Sequence, residues 1–164
     1  MSLLRILRAR VPLGTTTITL LVLLGSVTAA VHAQPAPADR SLARSVGDAG
    51  LAWGPCPEFF PLGCQIAVLH GDPAKPNADV FFRVPAGYDL PSHWHTSAER
   101  MVLVSGELHI TYDGQDPAIL KPGMYAYGPP KAVHRGRCVS NEPCVLFIAF
   151  EGPVDATPVV AAGQ

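Results

Sequence analysis

Residues 87–106 read GYDLPSHWHTSAERMVLVSG. His93 and His95 stand two apart in this stretch. On an extended chain, residues i and i+2 point to the same face, so both imidazoles can reach one ion. Glu99 follows after a short turn, at the head of an apolar run. A third imidazole, His134, comes later in a Pro-rich stretch. Three imidazoles and one carboxylate suit Zn, Mn, Fe, Ni or Cu far better than Ca or Mg.

Outward from this stretch, short β-prone runs alternate with turn signals. The runs are 65–69, 80–84, 101–104, 108–112, 124–127 and 145–150. Gly71-Asp72-Pro73, Pro85-Ala86-Gly87, Asp113-Gly114, Lys121-Pro122-Gly123 and Asn141-Glu142-Pro143 punctuate them. Nothing reads as a long amphipathic helix, and the chain has no internal repeat. Short strands at regular spacing predict an all-β sandwich or barrel. Ser105-Gly106, between two runs, suits a tight hairpin.

The spacing Gly87-x5-His93-x-His95-x3-Glu99-x6-Gly106 resembles the first motif of the cupin superfamily, with every signature position filled. The second cupin motif reads glycine, five residues, Pro-x-Gly, two residues, His, three residues, Asn. Gly123, Pro129 and His134 keep that spacing, with Lys131 in place of the glycine and Cys138 in place of the asparagine. The glycine serves a turn with φ > 0, which Lys resists. The resemblance covers residues 51–150 and implies a single-domain jelly-roll barrel. It also implies one divalent transition metal ion held by His93, His95, Glu99 and His134. In such a site Glu99 ligates, or swings between ligating and acting as a base.

The chain has 164 residues. Arg5, Arg8 and Arg10 precede an apolar stretch at 18–31, and Val31-His32-Ala33 offers a cleavage site. This is the pattern of a secretory signal peptide over 1–33. A membrane anchor is the rival reading, but Thr19, Gly25, Ser26 and Thr28 interrupt a stretch already short of the ~20 apolar residues a span needs. No stable membrane insertion is expected after cleavage, and export places the protein in the periplasm or outside the cell. A flexible leader is expected over 34–50, the barrel over 51–151 and a loose tail over 152–164. After cleavage nine basic residues face thirteen acidic ones, a net charge of −4. That balance gives no electrostatic case for nucleic acid or anionic membranes as partners.

All four cysteines lie in the expected mature chain. An even count in a small exported domain reads as two disulfides. Of the three pairings, Cys56–Cys64 and Cys138–Cys144 close short loops, the second around Val139–Pro143. A cysteine metal site is the alternative, but no Cys-x2-Cys spacing supports it. Small cupins commonly dimerise, so the resemblance allows a homodimer. Trp53, Phe59 and Phe60 then either pack on a partner or cover one end of their own barrel.

Strand parity sorts the other side chains. Met101 and Leu103 share parity with Glu99 and should form apolar pocket walls, while Arg100 should face solvent. Trp94, between the two histidines, should point away from the ion. Tyr125 and Tyr127 share a face, and Tyr127 is a candidate to orient a substrate oxygen or bound water. His109 is a candidate for proton transfer. Arg135 and Arg137 are candidates for the barrel mouth, holding an anionic substrate or solvated at the rim.

The expected function is a secreted metal-dependent enzyme acting on a small oxygen-bearing organic molecule. The resemblance favours dioxygenase-like oxidation. A lyase, isomerase or decarboxylase using the metal as Lewis acid is the near alternative. A non-catalytic metal- or ligand-binding or sensing module is the other class. Without an adjacent arginine pair in its leader, the chain is expected to be exported unfolded and to meet its metal outside the cytoplasm. Affinity order at such a site then favours Zn or Cu, then Mn, then Fe.

Overall fold

The structure, a computed structural model, describes residues 40–159. The signal peptide expected over 1–33 lies outside the described residues. The order of elements is β1 (Gly54–Pro55), β2 (Gln65–His70), β3 (Ala78–Val84), β4 (Asp89–Trp94), β5 (Glu99–Ser105) and β6 (Leu108–Tyr112). There follow β7 (Ala118–Leu120), β8 (Tyr125–Gly128), β9 (His134–Cys138), β10 (Cys144–Phe150) and β11 (Thr157–Pro158). No helix occurs among the described residues, and none there is long and apolar enough to cross a membrane.

Two antiparallel sheets form a jelly-roll barrel. One runs β1-β2-β3-β10-β5-β8 and the other β11-β4-β9-β6-β7. Period-two side-chain alternation explains the core. Val80, Phe82, Met101, Leu103, Leu146 and Ile148 face inward from the first sheet, and Leu108, Ile110, Tyr112 and Leu120 from the second. Burying each large aliphatic side chain contributes roughly 1.5–3 kcal/mol. The expected parity holds: Met101 and Leu103 are buried and Arg100 is exposed, paired with Glu151.

Two local expectations are corrected. Ser105-Gly106 is not a hairpin turn, because β5 and β6 belong to different sheets. The link instead carries the chain across the barrel, close against the neighbouring β9–β10 connection. Gly106 has φ +82, and a Cβ there would lie 2.8 Å from the Cys144 sulfur and 2.9 Å from the Cys144 Cα. Second, the chain over 152–159 is not loose. Thr157 and Pro158 pair with Trp94 and His93, and Val154 N donates to Pro73 O at 2.9 Å. β4 and β9, which carry His93 and His134, do not announce themselves as apolar runs. β4 contains Pro91, which cannot donate to a ladder, and the β4–β9 register shifts between Leu90 and His93 to accommodate it.

Both expected disulfides are present, Cys56–Cys64 and Cys138–Cys144, and no described cysteine is free. The first closes the loop that lays Phe59 and Phe60 over the barrel. The two rings lie 4.3 Å apart, and Phe60 is buried against Phe82. Trp53 instead stacks under the Arg83 guanidinium at 4.0 Å. These contacts match the reading in which the N-terminal aromatics cover their own barrel. Unfolded, unreduced protein should show no reactive thiol. Opening either loop should cost about 2–3 kcal/mol of stability, read as a shift in the denaturant midpoint. A count near four thiols would contradict both bridges.

Candidate metal centre

The strand register assembles the site. His93 on β4 is paired with His134 on β9, and His134 is paired with Tyr112 on β6. These three side chains therefore stand in one row across the inner face of the five-stranded sheet. His95 follows just beyond the end of β4. Glu99 opens β5 on the opposite sheet, beside Phe150 and Gly128. The centre thus bridges the two layers. All four candidate ligands are buried.

The imidazoles are oriented by main-chain carbonyls. His93 Nδ1 donates to Pro91 O at 2.7 Å and His134 Nδ1 to Ala132 O at 3.0 Å. His95 Nδ1 donates to Asp155 O, in the C-terminal segment. A carbonyl only accepts, so each bond places the proton on Nδ1 and frees the Nε2 lone pair. The ligand nitrogens of His93, His95 and His134 lie within 4.8 Å of one another. Glu99 Oε2 lies 3.5 Å from His95 Nε2, and Glu99 Oε1 lies 3.5 Å from His134 Nε2. Burial, with His134 beside it, depresses His93 to about 3. Burial also lowers His134, although Glu99 pulls the other way. These groups present lone pairs, not protons, and the donor set fits a divalent transition ion.

The same depression sets an acid limit for the metal-free protein. Unfolded His93 takes a proton near its ordinary value of 6.5, whereas the folded one resists it down to about 3. The unfolded state therefore binds more protons in this window, and stability rises with pH across it. Metal-free protein should lose stability as pH falls below 6.5. The slope for this imidazole should approach about 1.4 kcal/mol per pH unit. Denaturant midpoints at pH 7, 6 and 5 check this, and a flat profile would contradict it.

Behind Glu99, Tyr112 is buried and its hydroxyl lies 3.4 Å from Glu99 Oε1. Burial and the Glu99 charge push the Tyr112 phenol well above its ordinary range, so it remains a donor. Gly128 closes the back of this pair. A Cβ there would lie 2.5 Å from the Tyr112 hydroxyl and 2.7 Å from Glu99 Oε1. The centre opens into a cavity of about 90 Å³. Its walls are mainly apolar, with Phe60, Ile66, Leu90, Met101, Leu108 and Ile148 among the lining residues.

The C-terminal segment completes one side. Val154, Asp155 and Ala156 line the cavity, and the Asp155 carboxylate accepts from Thr96 N at 2.9 Å. His93 and His134 find their carbonyls two residues away, but His95 depends on one 60 residues on. Deleting residues 154–164 should therefore weaken metal binding by roughly 10–100-fold, the usual cost of losing an orienting partner. Titration with Zn reads it. Leu120→Ala, buried but away from the cavity, is the control for general destabilisation.

Not every candidate residue comes to the site. Tyr127 and Tyr125 are exposed on the outer face of β8, and neither lines the cavity. His109 has the opposite parity to Leu108 and Ile110 and pairs with Glu107 at 3.2 Å outside the barrel. Arg135 and Arg137 also turn outward, to Asp113 and Asp89. Trp94 lies off the cavity, as parity requires. Lys131 keeps the turn that glycine usually serves, with φ 60, and its N–H donates to His95 O at 2.8 Å. Sequence reading missed Tyr112, Gly128 and Asp155. Tyr112 carried a signal, since its parity matches Leu108 and Ile110. Asp155 carried none, because only long-range folding brings it to His95.

Residues 80–150 match the family model described as Cupin domain. Residues 80–150 are thus a cupin domain, and the barrel around them has the cupin fold. An RmlC-like cupin from Shewanella frigidimarina shares the fold with TM-score 0.54 and 21% identity, over 70% of this chain and 93% of that one. DMSP lyase DddQ from Ruegeria pomeroyi gives TM-score 0.57 and 21% identity, over 70% of this chain and 64% of the other. Oxalate decarboxylase OxdC from Bacillus subtilis gives 0.52 and 20%, over 59% of this chain and only 28% of that protein. The chain thus spans less than two thirds of either enzyme's length, and at these identities the likeness shows the fold alone. No curated protein sequence matches the chain.

Proposed function

We propose that the chain is an exported, metal-dependent cupin enzyme acting on a small oxygen-bearing organic molecule. The observation that carries this reading is the clustering of one ligand nitrogen from each of His93, His95 and His134 in an apolar cavity, with the Glu99 carboxylate 3.5 Å from two of those imidazoles. His93, His95 and His134 would hold a divalent ion, with Glu99 as fourth ligand or as base. A divalent ion there supplies Lewis-acid polarisation of a ligand oxygen if it is Zn, and permits oxygenase chemistry if it is Cu, Mn or Fe. Glu99 is the carboxylate within reach of both the histidine nitrogens and the cavity, so it is the group placed to take a substrate proton. Tyr112 donates to its Oε1 and steers any proton exchange towards Oε2. The apolar walls exclude water and strengthen each polar contact inside.

The two disulfides support an oxidising compartment, where the chain would acquire its metal after export. On that basis Zn or Cu is the resident ion, ahead of Mn and Fe. Elemental analysis of natively exported protein, set beside cytoplasmically expressed protein, tests this. Stoichiometric Zn or Cu in the exported sample is expected. Dominant iron with iron-dependent activity would overturn the compartment argument, and no retained metal would overturn the metal reading itself. One observation favours a non-catalytic ligand-binding role instead. Tyr127 and His109, the other candidates for substrate or proton handling, face away from the cavity. That role predicts saturable ligand binding without turnover, whatever ion is loaded.

A further inference from the structure

The cavity has a one-sided charge pattern. Arg100, Arg135 and Arg137 flank the candidate ligands in sequence. All three turn outward and are paired, to Glu151, Asp113 and Asp89. No Lys or Arg is among the described residues lining the cavity. Its charged lining groups, apart from the imidazoles, are two carboxylates, Glu99 and Asp155. Away from the histidines the wall is hydrocarbon, from Ile66, Leu90, Met101, Leu108, Leu146 and Ile148.

Charge balance then limits the ligand. Imidazoles that ligate are neutral, so a divalent ion with Glu99 leaves one net positive charge at the floor. One anionic oxygen group cancels it. A second anionic group on the same molecule would stand against hydrocarbon, with no Lys or Arg among the described lining residues to receive it, the Asp155 carboxylate being held by Thr96 N. Burying an unpaired charge is costly enough to exclude it. Resting on the metal reading above, we infer that the site selects a small ligand with one metal-seeking oxygen group on an apolar body. This is the class of monocarboxylates, enolates and phenolates. Dicarboxylates and other dianions are rejected.

The experiment is calorimetric titration of the Zn-loaded full chain, with zinc content measured first, using acetate, butanoate, hexanoate and succinate. Affinity should rise along the monocarboxylates by roughly fourfold per added methylene until the cavity is filled. Succinate should bind about 100-fold more weakly than butanoate, which has the same number of carbons and one charge fewer. Ile66→Lys places a cation in a half-buried part of the wall and should narrow that gap at least tenfold. Succinate binding as tightly as butanoate would overturn the inference, as would affinity independent of chain length. These results with stoichiometric zinc leave the metal reading standing. Failure of the wild-type chain to retain zinc removes the metal reading, and the ligand inference with it. If Ile66→Lys does not fold, the wild-type series decides alone.

Discussion

Protein carrying His93→Ala or His95→Ala should emerge folded and without stoichiometric metal. Each change would remove one of the three candidate ligands and leave the remaining imidazoles without a complete shell. Outer partners alone are worth about 10–100-fold in affinity, so losing a ligand should cost more than about 100-fold. Metal per chain after gel filtration reads the result. The two variants differ in a useful way. His93 packs against Phe60, with ring centroids 5.1 Å apart, so its loss also leaves a cavity beneath the aromatic cap. His95 packs near Phe150 and is tied to Asp155 O, so its loss frees the C-terminal segment from the site. Limited proteolysis should therefore cut the C-terminal segment faster in His95→Ala than in His93→Ala. Full metal content in both variants would remove these residues from the centre.

Gly128→Ala should have the next largest effect, although Gly128 is not itself a candidate ligand. The added methyl would stand 2.5 Å from the Tyr112 hydroxyl and 2.7 Å from both Glu99 Cγ and Oε1. Contacts that short cannot persist, so Glu99 and Tyr112 must move apart or the β5–β8 pairing must open. Either response takes the carboxylate from its place between the His95 and His134 nitrogens. Metal affinity should fall by about 10–100-fold, with a stability loss of roughly 1–3 kcal/mol from overpacking. Tyr112→Phe separates the two effects. It keeps the ring and removes only the long 3.4 Å contact to Glu99. Its expected cost is therefore smaller, about 0.5–1.5 kcal/mol. If Gly128→Ala binds metal as the parent does, Glu99 is not held in place by this packing.

The legible parts of the centre were local. His93 and His95 share a face because strands repeat every two residues, and Met101 and Leu103 follow Glu99 inward for the same reason. Both disulfides close short loops, so their pairing was readable from spacing. Tyr127 and His109 were misplaced by another kind of reasoning. An aromatic or an imidazole on an alternating strand faces one of two sides, and the choice belongs to the neighbouring strands. Tyr127 lies opposite Arg100, which is exposed, so both turn outward. His109 alternates with Leu108 and Ile110, and those two are in the core.

The sequence by itself determined the all-β element type, the inward parity of the β5 side chains, the pairing of His93 and His95 on one face and the disulfide pairs. All of these rest on alternation and spacing within a few residues. Tertiary structure alone decided which strands share a sheet, so that β5 and β6 are consecutive yet lie in different layers. It also decided that a carbonyl 60 residues away orients His95 and that the backbone of Gly128 presses Glu99 and Tyr112 together. The physical reason is that pairing and close packing join segments distant along the chain. The choice among such pairings is made by the whole barrel closing at once, and no single stretch of sequence records it.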